Sequence, residues 1–284
     1  MGAPSGIPGS FRFEGHRLSY AVYGEGPRTT VLLHGLLFSK RMHGPLAEAL
    51  AARGNRVVTL DLLGHGRSDQ PHEMQAYAMT TFARQVVGLL DHLDVAEAVV
   101  GGTSLGANTT LEVAALAPER LRGMIVEMPV LDNALLACAL AFTPLMVGFT
   151  FGEPLTRASA AAMRLIPHER LPFLLDILLE VQQRDPRPNA AILQGLFFGR
   201  VAPPRDERRR LRTPALVIGH RRDPIHPFSD SGALVDELPD ARLLEANSIV
   251  EMRVAPRRLT AEIAAFVEER WAHPGVRRRR ARVS

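Results

Sequence analysis

The pentapeptide Gly102-Thr103-Ser104-Leu105-Gly106 constrains the fold of this chain more than any other stretch, because of what flanks it. An apolar run over residues 98–101 precedes it, and apolar residues at helical spacing follow from 105 to 116. A short apolar run bounded by turn residues predicts a buried strand, and the periodicity after it predicts a helix. The turn between them must be sharp, and its glycines remove side chains that would collide there. It also sets Ser104 at a helix N-terminus, where the dipole and unpaired N–H groups favour developing negative charge. In this strand–helix context a G-x-S-x-G turn predicts a nucleophilic serine. A chance glycine-rich turn with a capping serine is the alternative.

The alternation of strand and helix extends on both sides of this turn. Residues 11–14 and 18–23 flank Gly15-His16 and predict a β-hairpin. Residues 30–33 and 56–60 predict buried parallel strands, with a helix over 45–53 between them. Another helix is expected over 80–93, where Phe82, Val86, Leu89, Leu90 and Leu93 share a face, and a strand over 123–127. After Pro129 the alternation stops, and mostly helical spacing runs to about residue 203, with Leu171, Leu174, Leu175, Leu178 and Leu179 on one apolar face. It resumes with strands over 215–219 and 241–244 and helices near 230–238 and 257–271. This order implies an α/β fold: a mostly parallel, doubly wound sheet with a helical insertion after the sixth strand. The expected organisation is a disordered N-terminus (1–10), a core (11–132 and 204–272), a helical cap (133–203) and a basic disordered tail (273–284).

Charge and composition narrow the function classes. The net charge is +4, but the tail carries Arg277, Arg278, Arg279, Arg280 and Arg282, so the remainder stands at −1. A short terminal arginine run is more often a solvated end than a nucleic-acid footprint, so no nucleic-acid partner is expected. Cys138, the one cysteine, excludes an internal disulfide and fits a reducing compartment as a buried structural thiol. The first ten residues lack an apolar segment, which predicts a cytoplasmic protein. Residues 134–152 carry no charge and approach membrane-span length, yet Pro144, Gly148 and Gly152 interrupt them. A buried cap element is expected there, not a stable membrane span. A monomer or homodimer is expected.

Other stretches support chemistry at Ser104. His34-Gly35-Leu36-Leu37 follows the third strand, and the backbone N–H groups of Leu36 and Leu105 could converge on one oxygen as an oxyanion hole. His34 is expected to hold that loop. Asp61-Leu62-Leu63-Gly64-His65-Gly66-Arg67-Ser68-Asp69 reads as a structural turn after the fourth strand, with His65 a remote base candidate. No His/Cys/Asp set has metal-ligand spacing, and no lysine completes a phosphate loop, so no metal or cofactor is expected.

With His34-Gly35, Asp61 through Asp69, the turn around Ser104 and Asp223 in place, the chain resembles the α/β-hydrolase superfamily, in its capped serine-hydrolase branch. The resemblance implies a Ser–acid–His triad in the order Ser104, Asp223, His. The third member departs from the pattern. Lined up on Ala255-Pro256, the family's histidine position falls at Ile249, and no histidine occurs between His226 and His273. His226, three residues after Asp223, is the leading substitute; Asp132 could then replace Asp223 as the orienting acid. His43 and Glu251 are further base candidates, whereas His92 and His168 look like surface or packing residues. Cap residues Phe142, Met146, Phe149, Phe151, Met163, Phe197 and Phe198 suggest a pocket for apolar acyl groups. The expected function is cleavage of an apolar ester, thioester or related acyl substrate through a Ser104 acyl-enzyme. The alternatives are a catalytically lapsed binding protein on the same scaffold, and a C–C bond hydrolase.

Overall fold

A computed structural model describes residues 6–163, 171–182 and 186–272 of the chain. His168, parts of the expected cap and the basic tail lie outside the described residues. Eight strands form one sheet in the order β1-β2-β4-β3-β5-β6-β7-β8. They are β1 (Ile7–Phe13), β2 (His16–Tyr23), β3 (Thr29–Leu33), β4 (Arg56–Asp61), β5 (Ala98–Thr103), β6 (Leu121–Glu127), β7 (Ala215–Gly219) and β8 (Ala241–Glu245). The first pair is an antiparallel hairpin, β2 runs antiparallel to β4, and every pairing beyond is parallel.

Period-two alternation in the central strands sorts their side chains into two cores. Val31, Leu33, Val58 and Leu60 point to one face, where α2 (Met79–His92) adds Phe82, Val86, Leu89 and Leu90 and α3 (Leu105–Leu116) adds Leu111. Leu32, Val57, Val99 and Ile125 point to the other, where α1 (Gly44–Ala51) adds Leu46 and Leu50. Both faces are covered, so the central parallel strands are built mainly of apolar residues, as buried parallel sheets require.

The N-terminal expectation needs correction. Ile7–Ser10, placed in a disordered segment by their glycine and proline content, belong to β1 and pair with Ser19–Val22. An edge strand tolerates Pro8, because one side of its backbone has no ladder to serve.

Between β6 and β7 the chain forms α4 (Leu135–Phe151), α5 (Glu153–Met163), α6 (Phe173–Gln182), α7 (Pro186–Phe197) and the short α8 (Arg205–Arg208). The uncharged stretch is indeed helical, but α4 contains no fully buried residue. Leu136, Leu140 and Phe151 face outward, as do Leu175 and Leu178 of the apolar face expected in α6. Helical spacing tells which residues share a face, not whether a partner covers it. Among the described residues no single helix is long and apolar enough to cross a membrane.

Core side chains hold both ends of this inserted segment. Asn108 of α3 donates to the carbonyls of Val130 (2.7 Å) and Val201 (2.8 Å) and accepts from the Val130 amide (3.0 Å). Asp230 of α9 (Phe228–Glu237), fully buried, accepts from the amides of Leu131 (2.8 Å), Asn133 (3.0 Å) and Ala134 (3.1 Å). After β8 the chain closes with the short α10 (Glu251–Val254) and α11 (Arg257–Ala272), whose Leu259, Ile263, Phe266 and Val267 join the second core.

Candidate active site

Ser104 sits between β5 and α3 with φ 53° and ψ −108°, a left-handed conformation rare for a side-chain-bearing residue. Such strain persists only where the surroundings over-determine it. The Ser104 amide donates to the Glu127 carbonyl (2.8 Å), and the Ser104 carbonyl accepts from the Asn108 amide (2.9 Å). A Cβ at Gly102 or Gly106 would lie 2.5 or 2.2 Å from the Leu33 carbonyl oxygen. Glycine at both positions lets the turn press against β3, as its sequence predicts.

The loop after β7 supplies the other two groups. His226 Nε2 lies 2.9 Å from Ser104 Oγ, and His226 Nδ1 lies 2.9 Å from Asp223 Oδ2. With Nδ1–H donating to the carboxylate, Nε2 is the acceptor for the serine hydroxyl. β7 lies two strands from β5, about 10 Å at ~4.8 Å per strand, so the loop must lean inward for this contact. Asp223 makes it lean: Oδ1 accepts the backbone amides of Ile225 and His226, each at 2.9 Å. An aspartate bonding its own backbone two and three residues on tightens the chain into a turn, and this one aims the imidazole at β5. Burial would raise the Asp223 pKa, but the hydrogen bonds and charge of His226, with the two amides, outweigh it and hold the carboxyl below its ordinary value.

The other sequence candidates fall outside this chain of bonds. Asp132 is 72% exposed and pairs with Arg208 (2.9 Å), so it does not replace Asp223 as the partner of His226. Arg208 is itself buried and held by Glu237, which draws Asp132 away from the imidazole. His43 is buried, with Nε2 on the Leu33 carbonyl (2.9 Å); desolvation first, then the Arg253 charge, depress its pKa to about 4. It is neutral and directed at backbone, not at Ser104. Glu251 is held by Arg258 (2.9 Å) and the Asn247 amide; the arginine bond above all keeps its carboxyl ionised and its pKa low. It is a poor base for that reason. His34 bonds the Gly35 carbonyl (2.8 Å) and the Leu62 amide (3.1 Å), holding its loop as expected. His65 bonds the Leu63 carbonyl (3.0 Å), and His92 packs against Phe11 and Tyr20. Asp61 is structural, accepting from the Lys40 and Arg67 amides and pairing with Lys40.

A cavity of about 320 Å³ opens over Ser104. Leu36 and Leu105 line it, together with Asn108, Val130, Leu135, Phe142, Leu193 and Phe197. Phe142 and Phe197 therefore match the cap expectation, whereas Phe151 and Phe198 are turned to solvent. Leu105 is the first residue of α3, where amides have no intrahelical acceptor and remain available to an anion. Cys138 also lines the cavity instead of being fully buried; burial first, then Asp230 and Asp223, push its thiol up to about 11, so it is no competing nucleophile. Among the described residues, none of the lining side chains is ionic at neutral pH. Among the described residues no group of three or more His, Cys, Asp or Glu side chains could hold a metal ion. The sequence reading missed Glu127 and Arg253, a buried pair beside the elbow (3.0 Å). The available signal was a glutamate closing an otherwise apolar strand.

A family model described as "alpha/beta hydrolase fold" matches residues 30–247, more than half of the chain. This chain belongs to the α/β-hydrolase family. The α/β-hydrolase is 39% identical over 107 residues to the dihydrolipoyllysine-residue acetyltransferase component of an acetoin cleaving system from Pseudomonas putida, across 37% of this chain and 28% of that one. It is 26% identical over 235 residues to a 2-hydroxymuconate semialdehyde hydrolase from Pseudomonas sp. (strain CF600), covering 78% and 76%. The first of these relatives is matched over less than a third of its own length. Among solved structures, an enol-lactonase from Burkholderia xenovorans LB400 superposes with a TM-score of 0.75 at 23% identity, over 92% of this chain and all of that one. That likeness shows the fold.

Proposed function

We propose that this α/β-hydrolase cleaves a small or medium apolar ester, thioester or related acyl compound through an acyl-enzyme on Ser104. The observation that carries the reading is the unbroken line Asp223–His226–Ser104, with both contacts of the imidazole at 2.9 Å. Ser104 Oγ attacks the substrate carbonyl while His226 Nε2 takes the hydroxyl proton; Asp223 holds the ring and stabilises the imidazolium. The amides of Leu36 and Leu105 receive the developing oxyanion, where one well-placed donor is worth about 3 kcal/mol. Nε2 then gives its proton to the leaving group. A water, deprotonated at the same nitrogen, attacks the acyl-serine and frees the acid.

The uncharged lining of the cavity favours an acyl group without an ionised carboxylate, since burying an unpaired charge there is costly. The lapsed-scaffold reading draws its support from the missing histidine after β8; His226, 2.9 Å from Ser104 Oγ, speaks against it. Labelling with a serine-directed fluorophosphonate tests the proposal. Wild type should label and Ser104→Ala should not; a folded wild type that stays unlabelled sinks the hydrolase reading in favour of a binding protein.

A further inference from the structure

Beside the elbow lies a pair of buried opposite charges that the proposed chemistry does not use. Glu127 ends β6, and its backbone carbonyl takes the Ser104 amide (2.8 Å). Its side chain accepts from the Thr103 hydroxyl, and from Arg253 Nη2 at 3.0 Å. Arg253 Nη2 also lies 2.8 Å from Thr103 Oγ1, which closes a three-membered ring of bonds on the residue that precedes the nucleophile. The guanidinium is 7% exposed and the carboxylate 6%. Arg253 comes from α10, in the segment after β8 where the histidine pattern fails.

A buried ion pair is weak grounds for stability, because desolvation offsets most of the attraction. Breaking one is another matter, since the orphaned charge acts on every neighbour at low dielectric. Here the neighbour is the backbone that presents Ser104. We infer that Arg253 is a positioning residue: it neutralises Glu127 and, through Thr103, fixes the turn that holds the Ser104 hydroxyl against His226. The inference rests on the proposed roles of Ser104 and His226.

The groups around each partner can be named. Glu127 faces Arg253 from α10, Thr103 from β5 and His43 from the 3-10 turn Lys40–His43. His43 is held neutral by burial and by the Arg253 charge, so the balancing cation in this set is Arg253. His226 faces Asp223 on its own loop and Ser104 from the elbow. Cys138 of α4 approaches the Ile225 carbonyl of that loop, and Asp230 follows it in α9.

The test measures kcat/KM against pH for a p-nitrophenyl ester, with fluorophosphonate labelling in parallel, in the full chain. Arg253→Met leaves a bare carboxylate, which should move the acidic limb to higher pH by about half a unit or more and lower kcat about tenfold, with KM little changed. Glu127→Gln leaves a bare guanidinium and should move the limb the opposite way. The double variant carries neither charge and should return the limb to its wild-type position; Arg253→Lys should recover part of kcat. Should Arg253→Met fail to fold, Glu127→Gln should still shift the limb to lower pH and the double variant leave it at the wild-type position. Opposed shifts that cancel support the inference. Activity losses with unshifted limbs, or a double variant shifted as far as either single, overturn it while leaving the hydrolase reading intact. A wild type that neither turns over nor labels overturns both.

Discussion

The loops after β7 and β8 leave neighbouring strands, yet their polar groups do different work. After β7, Asp223 spends its carboxylate on its own loop, and His226 stands free to reach across β6 to the serine. After β8, the polar groups are tied down: Glu251 is bound by Arg258 and the Asn247 amide, and Arg253 by Glu127 and Thr103. A titratable side chain acts as a base only if its partners orient it without exhausting its acceptor. The β7 loop meets that condition and the β8 loop does not. Under the proposed mechanism, the choice of base thus follows the local bonding of a loop that reaches the elbow.

Three paired measurements sharpen the contrast. The largest effect is expected from His226→Ala, which should cost on the order of 10⁵–10⁶ in ester turnover with the melting temperature little changed. Its counterpart Glu251→Gln should keep turnover within about threefold and lose roughly 1 kcal/mol of stability as the Arg258 bond weakens. Turnover that survives His226→Ala but collapses in Glu251→Gln would reverse the assignment.

Next comes the acid. Asp223→Asn should lower kcat by about 10⁴, because an amide no longer holds the imidazole in the productive tautomer. Asp132→Asn, which touches only Arg208 on this side, should leave kcat near wild type. Steady-state kinetics on the two variants decides between them.

The smallest expected effect concerns pH. His43, beside Arg253, has its folded pKa depressed to about 4 from an ordinary 6.5. The unfolded chain therefore binds the extra proton first, so this contribution is complete above pH 6.5 and is lost as pH falls toward 4. The loss amounts to about 3 kcal/mol. Urea titrations at several pH values should show that slope in wild type and a flatter one in His43→Gln.

The strand–helix order and the serine turn were legible because both rest on local signals. Glycines 102 and 106 mark where backbone meets backbone, and residue period marks each buried face. His226 was legible as a histidine three residues past Asp223 on the same loop, but its reach was not. That reach depends on the turn locked by the Asp223 carboxylate, a bond that strand spacing alone argues against. Arg253 escaped notice because its partner is 126 residues away. The insert was legible as helix but not in its exposure, since Leu136 and Leu140 carry the same pattern whether or not anything lies against them.

Asn108, one turn past Ser104, grips Val130 just before the helical insert and Val201 near its far end. The excursion thus leaves and re-enters the body through a single doorway, with an amide for its frame. Between those two anchor points lie Leu135, Phe142, Leu193 and Phe197, so changes there alter the wall of the cavity while the Asn108 bonds stay in place.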